Sequence, residues 1–233
     1  MNSEKLLLEL QNRGIDIDEN RVNQLTDFMH FVLSWNEKIN LTAIKDEESF
    51  MEKMIFDSAI ALNEIDLSNK KVLDVGTGAG FPGVVLYIIN PKIKLTLLDS
   101  TNKKINLLKQ YALENNFSYE AICDRAENYV LNNKEKYDFV FARAVAPLNI
   151  LLELCTPFLK VGGTFVALKG PGLDEELNTS QNALKKLNCH IKKVVVDYLP
   201  ESNETRNIIH IEKDKATPQK YPRQYNQMKK NPL

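Results

Sequence analysis

The sequence predicts an α/β fold: a mostly parallel seven-stranded sheet with an antiparallel hairpin at one edge, preceded by a helical cap. Three observations carry this expectation. From Lys71 onward, short β-branched runs alternate with helical runs, the pattern of right-handed crossovers between parallel strands. The last two strand-like runs are joined only through Pro200-Glu201-Ser202-Asn203-Glu204, too short for a crossover and long enough for a hairpin. Residues 1–68, in contrast, carry helical periodicity alone.

In residues 21–35, Val22, Leu25, Phe28, Met29, Val32 and Leu33 recur at three- and four-residue steps, which predicts an amphipathic helix. Residues 3–12 and 47–64 read as two further helices. No Pro or Gly lies between Ile15 and Val75, so no flexible linker separates cap and sheet. The strand–helix series runs 72–75 and 82–90, 95–99 and 103–115, 119–124 and 126–131, 139–142 and 148–159, 164–169 and 173–187. It closes on strands 191–198 and 207–212. The expected organisation is a cap at 1–68, an α/β domain at 69–214 and a basic C-terminal tail at 215–233.

A chain of 233 residues with 43% hydrophobic and 26% charged content can bury a full core without metals or disulfides. Its cysteines, Cys123, Cys155 and Cys189, are widely spaced and read as reduced thiols, with no metal-ligand spacing. The opening stretch MNSEKLLLEL carries acids and is no signal peptide, and the apolar run 84–89 is far too short to span a bilayer. A cytoplasmic location without membrane partners is expected. Net charge is −1, but residues 1–70 carry −7 and residues 71–233 carry +6. Residues 215–233 hold five basic residues and no acid, which suits either phosphate contacts by counterion release or a solvated terminus.

Four of the nine glycines fall in Asp74-Val75-Gly76-Thr77-Gly78-Ala79-Gly80-Phe81-Pro82-Gly83. This loop follows an apolar strand and opens a helix, so a ligand would sit at the strand's carboxyl end beside a helix N-terminus. Residues 78–83 match the dinucleotide fingerprint GxGxxG, which keeps a nicotinamide-dependent oxidoreductase as an alternative. Asp74 argues for S-adenosylmethionine (SAM) instead. A carboxylate there orders the loop and holds an ammonium group, and it would repel a pyrophosphate. The fold then becomes a Rossmann-like class I SAM methyltransferase. Asp99, ending the second strand, suits the two ribose hydroxyls of either cofactor. Ala126 and Glu127 open the helix after the third strand, where an adenine ring would lie. Glu127 is equally explained as a first-turn acid favoured by the helix dipole.

The fourth strand ends Phe141-Ala142-Arg143-Ala144-Val145-Ala146-Pro147. It lacks the Asn/Asp-Pro-Pro-aromatic motif of exocyclic-amine methylation and the nucleophilic cysteine of carbon-5 chemistry; Cys155 sits among apolar helix residues. A ribose 2′-hydroxyl site would use Asp where Arg143 stands, although Lys169 could serve it; a ring nitrogen such as guanine N7 remains, whose lone pair attacks a sulfonium methyl without a general base. Arg143 could hold guanine O6, a phosphate or the cofactor, or form a structural ion pair. Lys169 is a candidate phosphate or substrate ligand, or a plain surface lysine. Trp35, Asn36, Asn40 and Thr42 could receive a flipped base or close a helix end. His30, His190 and His210 have no triad spacing.

Taken together, these residues resemble the ribosomal RNA small subunit methyltransferase G family, also called glucose-inhibited division protein B. The resemblance rests on residues 35–44, Asp57-Ser58, 74–83, Leu98-Asp99-Ser100, Arg125-Ala126-Glu127, residues 143–146, 157–160 and 167–170, and Tyr221-Pro222-Arg223, over about residues 20 to 225. It implies SAM-dependent N7 methylation of one guanine in 16S rRNA near the decoding region, on naked rRNA, the small ribosomal subunit or an assembly particle. It implies cofactor contacts at Gly76, Phe81, Ala126, Glu127 and Arg143, beside Asp74, Gly78, Gly80 and Asp99. Where members often carry His before Asp-Ser, this chain has Lys53-Met54-Ile55-Phe56, so no histidine receives a role. A non-catalytic RNA-binding assembly factor of the same fold is the other alternative.

Overall fold

The computed structural model describes residues 1–143 and 146–233. Its cap opens with α1 (Ser3–Asn12) and α2 (Glu19–Asn36), whose first turns are closed by the Asn2 and Asp18 side chains accepting from Lys5 and Arg21 N–H at 2.9 and 2.8 Å. The predicted 47–64 helix is instead a relay. It starts as α3 (Glu47–Phe50), passes through a π-helical turn (Met51–Phe56), resumes as α4 (Asp57–Ala59) and ends in a 3-10 turn (Ile60–Leu62). π-turns concentrate at functional sites, and this one presents Lys53 and Met54 beside Asp57 of α4, as described below.

The sheet follows, with β1 (Lys71–Val75), α5 (Gly83–Ile89), β2 (Lys94–Asp99), α6 (Asn102–Glu114), β3 (Glu120–Cys123) and α7 (Ala126–Tyr129) forming its first half. The second half is β4 (Tyr137–Arg143), α8 (Leu148–Cys155), β5 (Leu159–Lys169), α9 (Leu173–Leu187), β6 (Cys189–Tyr198) and β7 (Thr205–Lys213), and α10 (Tyr225–Lys230) ends the chain. The strand order is β3-β2-β1-β4-β5-β7-β6. β7 runs antiparallel to both β5 and β6, while the other pairings are parallel. The expected seven strands and edge hairpin are present, with β7 inserted between β5 and β6. The chain reverses at β1, between β2 and β4, and a crevice opens there at the carboxyl ends of the strands.

Strand side chains alternate between two cores. Val72, Phe141 and Ile208 face the first, which is roofed by α2, α5 and the cap; Leu73, Val140 and Ile209 face the second, beneath α8 and α9. Cap and sheet therefore share one apolar core, in which Leu25, Phe28 and Val32 of α2 join Val84 and Val85 of α5.

Residues 215–233 pack back onto the protein, in contrast to a solvated basic tail. Tyr221, Met228 and Leu233 enter the second core. Lys213, with no exposed side-chain surface, holds the end of β7 through Glu135 and the Thr156 and Leu159 carbonyls at 3.0, 3.2 and 2.8 Å. A buried ammonium is tolerated only with such partners.

Candidate active site

The glycine loop is held from both sides. Gly76 and Thr77 donate their N–H groups to the Leu98 carbonyl at 2.8 and 3.1 Å, tying the loop to β2. The fully buried Asp74 accepts from the Gly83 N–H at 2.8 Å, which satisfies one of the free donors at the start of α5. Pro82, expected at the first helical position, is the residue just before the helix. Burial pushes the Asp74 pKa up to about 6. Its Oδ1 and the neighbouring Thr77 Oγ1 have no partner among the described residues.

A cleft of about 420 Å³ lies beside this loop, and Gly76, Asp99, Ala126, Glu127 and Arg143 line it. Asp99 accepts from Gly78 N–H through Oδ2 (3.0 Å) and from Thr101 N–H through Oδ1 (2.8 Å), so both oxygens are oriented and each retains a lone pair. Glu127 is 4% exposed and pairs with Arg125 at 2.6 Å. Register aligns Asp99 with Cys123, so the β3 end of the cleft lies one strand beyond the Asp99 carboxylate.

Four expected cofactor residues act behind the cleft wall. Asp74 and Gly78 fix the loop as just described. Gly80 has φ +103° and packs so closely that a Cβ would lie 2.8, 2.9 and 3.0 Å from Val84, Leu108 and Phe28. Its missing side chain is required by packing against α2 and α6, where ligand approach was the sequence expectation. Phe81 is likewise buried between Phe28 and Phe50, with its ring 5.5 Å from the Arg143 guanidinium.

Arg143 bridges the domain to the cap. Its Nη1 donates to the Lys53 carbonyl (3.0 Å) and Asp57 Oδ2 (3.1 Å), and its Nη2 lies 3.1 Å from Met54 Sδ. The other Asp57 oxygen accepts from Arg206 of β7 at 3.1 Å. Of the roles left open by the sequence, the ion pair is therefore realised, with an acid from the cap. A second cavity of about 400 Å³ is also lined by Arg143, with Ile44, Met54 and Leu168 as apolar walls and Lys53, Lys169 and Arg206 as cations.

Lys169 is 9% exposed and held by Glu176 (2.7 Å) and the Ala146 carbonyl (2.8 Å), so it sits at this cavity as a paired cation. Asn36 has both side-chain ends committed: Oδ1 accepts from Leu41 and Thr42 N–H, and Nδ2 donates to the Thr42 carbonyl. It shapes the 37–42 loop. Asn40 lines a separate surface hollow with Asn36, Thr42 and Lys45. The motif residues Ala144 and Val145 lie outside the described residues. Sequence reasoning missed the roles of Asp57 and Arg206, and that Tyr225 lines the cleft. Asp57 carried a signal, since a carboxylate within the apolar stretch 54–62 needs a buried partner.

Among the described residues no cluster of His, Cys, Asp or Glu is arranged to hold a metal ion, and no helix is long and apolar enough to cross a membrane. The family model for rRNA small subunit methyltransferase G matches residues 21–215. The ribosomal RNA small subunit methyltransferase G of Alkaliphilus metalliredigens (strain QYMF) is 44% identical over 227 residues, covering 96% of this chain and 95% of that protein. The protein of the same name from Bacillus cereus (strain B4264) is 41% identical over 237 residues, covering 100% and 99%. Among solved structures, ribosomal protein L11 methylase from Lactobacillus delbrueckii subsp. bulgaricus superposes with a TM-score of 0.54 at 14% identity, over 70% of this chain and 79% of that one, a likeness of fold. With the glycine loop, the strand order and matches over nearly its whole length in agreement, the chain belongs to the rRNA small subunit methyltransferase G family.

Proposed function

We propose that this protein is a SAM-dependent methyltransferase that methylates N7 of one guanine in 16S rRNA near the decoding region, presented by the rRNA or a small-subunit particle. Family membership supports the reaction class, and the observation that carries the cofactor is the Asp74–Gly83 bond. A nicotinamide dinucleotide would place its pyrophosphate on the N-terminus of α5. Here the first amide of that helix is taken by a buried carboxylate, which leaves the site poor for a dianion and favourable for a cationic cofactor. The cap (1–68) and the C-terminal segment (215–233) serve the domain at 69–214.

In this reading Asp99 accepts the ribose hydroxyls, Gly76 lets the backbone approach the methionine portion, and Ala126 and Glu127 flank the adenine. When bound, SAM supplies an electrophilic methyl group. N7 has a lone pair and no proton, so the protein needs no base and works by positioning. The second cavity would take the guanine between Ile44, Met54 and Leu168, with its cations toward the RNA backbone. Arg143, held by Asp57, forms the wall between the two and fixes their distance.

Mapping methylated nucleotides in 16S rRNA with and without the gene tests the reaction: loss of a single 7-methylguanine is expected, and label on ribose or an exocyclic amine contradicts it. At a ligand concentration of about 100 Kd, S-adenosylhomocysteine should raise the melting temperature by roughly 5–10 °C while NAD leaves it unchanged. The reverse result would restore the oxidoreductase alternative.

A further inference from the structure

The C-terminal segment reaches the cofactor cleft, and it does so on a rigid mount. Arg223 donates its backbone N–H and Nε to Glu153 Oε1, both at 2.8 Å, and its Nη2 to Oε2 at 2.6 Å. Glu153 is 1% exposed on α8. Met228, with no exposed surface, plugs α10 into the second core, and Arg223 Nη1 closes the segment onto the Asn231 carbonyl at 3.0 Å. A bidentate guanidinium–carboxylate pair fixes orientation as well as position.

Between these anchors, the half-buried Tyr225 ring lines the cleft. The Arg125 guanidinium lies over one face of this ring, 5.4 Å from its centroid. Arg125 immediately precedes Ala126 and Glu127, at the β3 end of the cleft beyond Asp99. We propose that Tyr225 supplies one face of the adenine-binding slot, stacking on the nucleobase with the ring face opposite the Arg125 guanidinium. This rests on the cleft being the SAM site.

The chemistry fits that end of the cleft. Once a ribose is held at Asp99, the base must extend toward β3, and Tyr225 is the aromatic side chain among the residues lining the cleft. Base–aromatic stacking is sequence-tolerant and strong enough to matter. Because the segment is already bolted down, the ring is in place before the ligand arrives and little ordering cost remains. The segment is anchored by Arg223, Tyr221, Met228 and Leu233, and the half-buried Tyr225 packs against the same core while also lining the cleft.

The test is calorimetric binding of S-adenosylhomocysteine and of adenosine to the full chain and to its Tyr225→Ala and Tyr225→Phe variants. Tyr225→Ala should bind both ligands about tenfold more weakly and Tyr225→Phe within about threefold of wild type, since stacking needs the ring and not the hydroxyl. In methylation assays KM for SAM should rise with kcat unchanged, a split that general destabilisation would not produce. Wild type that binds S-adenosylhomocysteine with Tyr225→Ala equal to it sinks the Tyr225 assignment alone. Wild type that fails to bind it sinks the cofactor reading and this proposal together.

Discussion

Asp57→Ala is expected to lower stability by about 3 kcal/mol, seen as a fall in melting temperature of roughly 6–12 °C. Asp57 sits between Arg143 and Arg206, and the three side chains are 10%, 14% and 14% exposed. Burial pushes the Asp57 pKa up, against the downward pull of the two guanidinium groups. The bridge is thus no large source of stability in itself. Removing its centre is costly because two nearly buried cations then face each other without the carboxylate between them. Arg206 keeps Glu204 at 3.0 Å, and Arg143 keeps the Lys53 carbonyl, which limits the damage. Methylation should fall about 100-fold, since a reacting geometry displaced by an ångström loses about that much. A double-mutant cycle with Arg206→Met should show strong coupling. Additive losses would mean that the bridge is not a unit.

Asp74→Asn should behave in the opposite way, gaining stability at neutral pH while weakening cofactor binding. The folded protein keeps the Asp74 proton up to a pKa of about 6, whereas the unfolded chain releases it near pH 4. Between these values the folded state binds the extra proton, so wild-type stability declines as pH rises from about 4 to 6, by on the order of 2–3 kcal/mol. Asparagine carries no such charge. Its carbonyl can still accept from Gly83 N–H, and its amide can donate to the unpartnered Thr77 Oγ1. The variant should match wild type near pH 4 and exceed it by on the order of 2 kcal/mol at pH 7, measured by denaturant unfolding across that range. A difference that stays constant with pH would contradict this. The wild-type carboxylate is then a stability cost retained at a functional site.

The sheet and the loop were legible because their signals are local. β-branched runs alternate with helical runs over short windows, and Asp74 lies within ten residues of the glycines it orders. The Asp99 position is likewise a matter of strand ends. What stayed hidden depends on distant partners. Arg206 meets Asp57 across 149 residues, and Arg223 meets Glu153 across 70. No periodicity encodes such pairs. Gly80 was read as a ligand-facing glycine because loop composition does not reveal that Phe28 packs against it from another helix. Asn36 was left open between two readings for a similar reason, since an amide near a helix end serves the loop or a ligand with the same chemistry.

Arg143 belongs to the lining of both cavities. In the proposed function a single guanidinium, gripped by the cap and seated over Phe81, therefore borders both the nucleoside and the RNA. If occupancy on the RNA side tightens its seat, residence on the nucleoside side must lengthen, and linkage requires the favour to be returned by the same factor. Order of arrival would then leave the affinity of the ternary assembly unchanged.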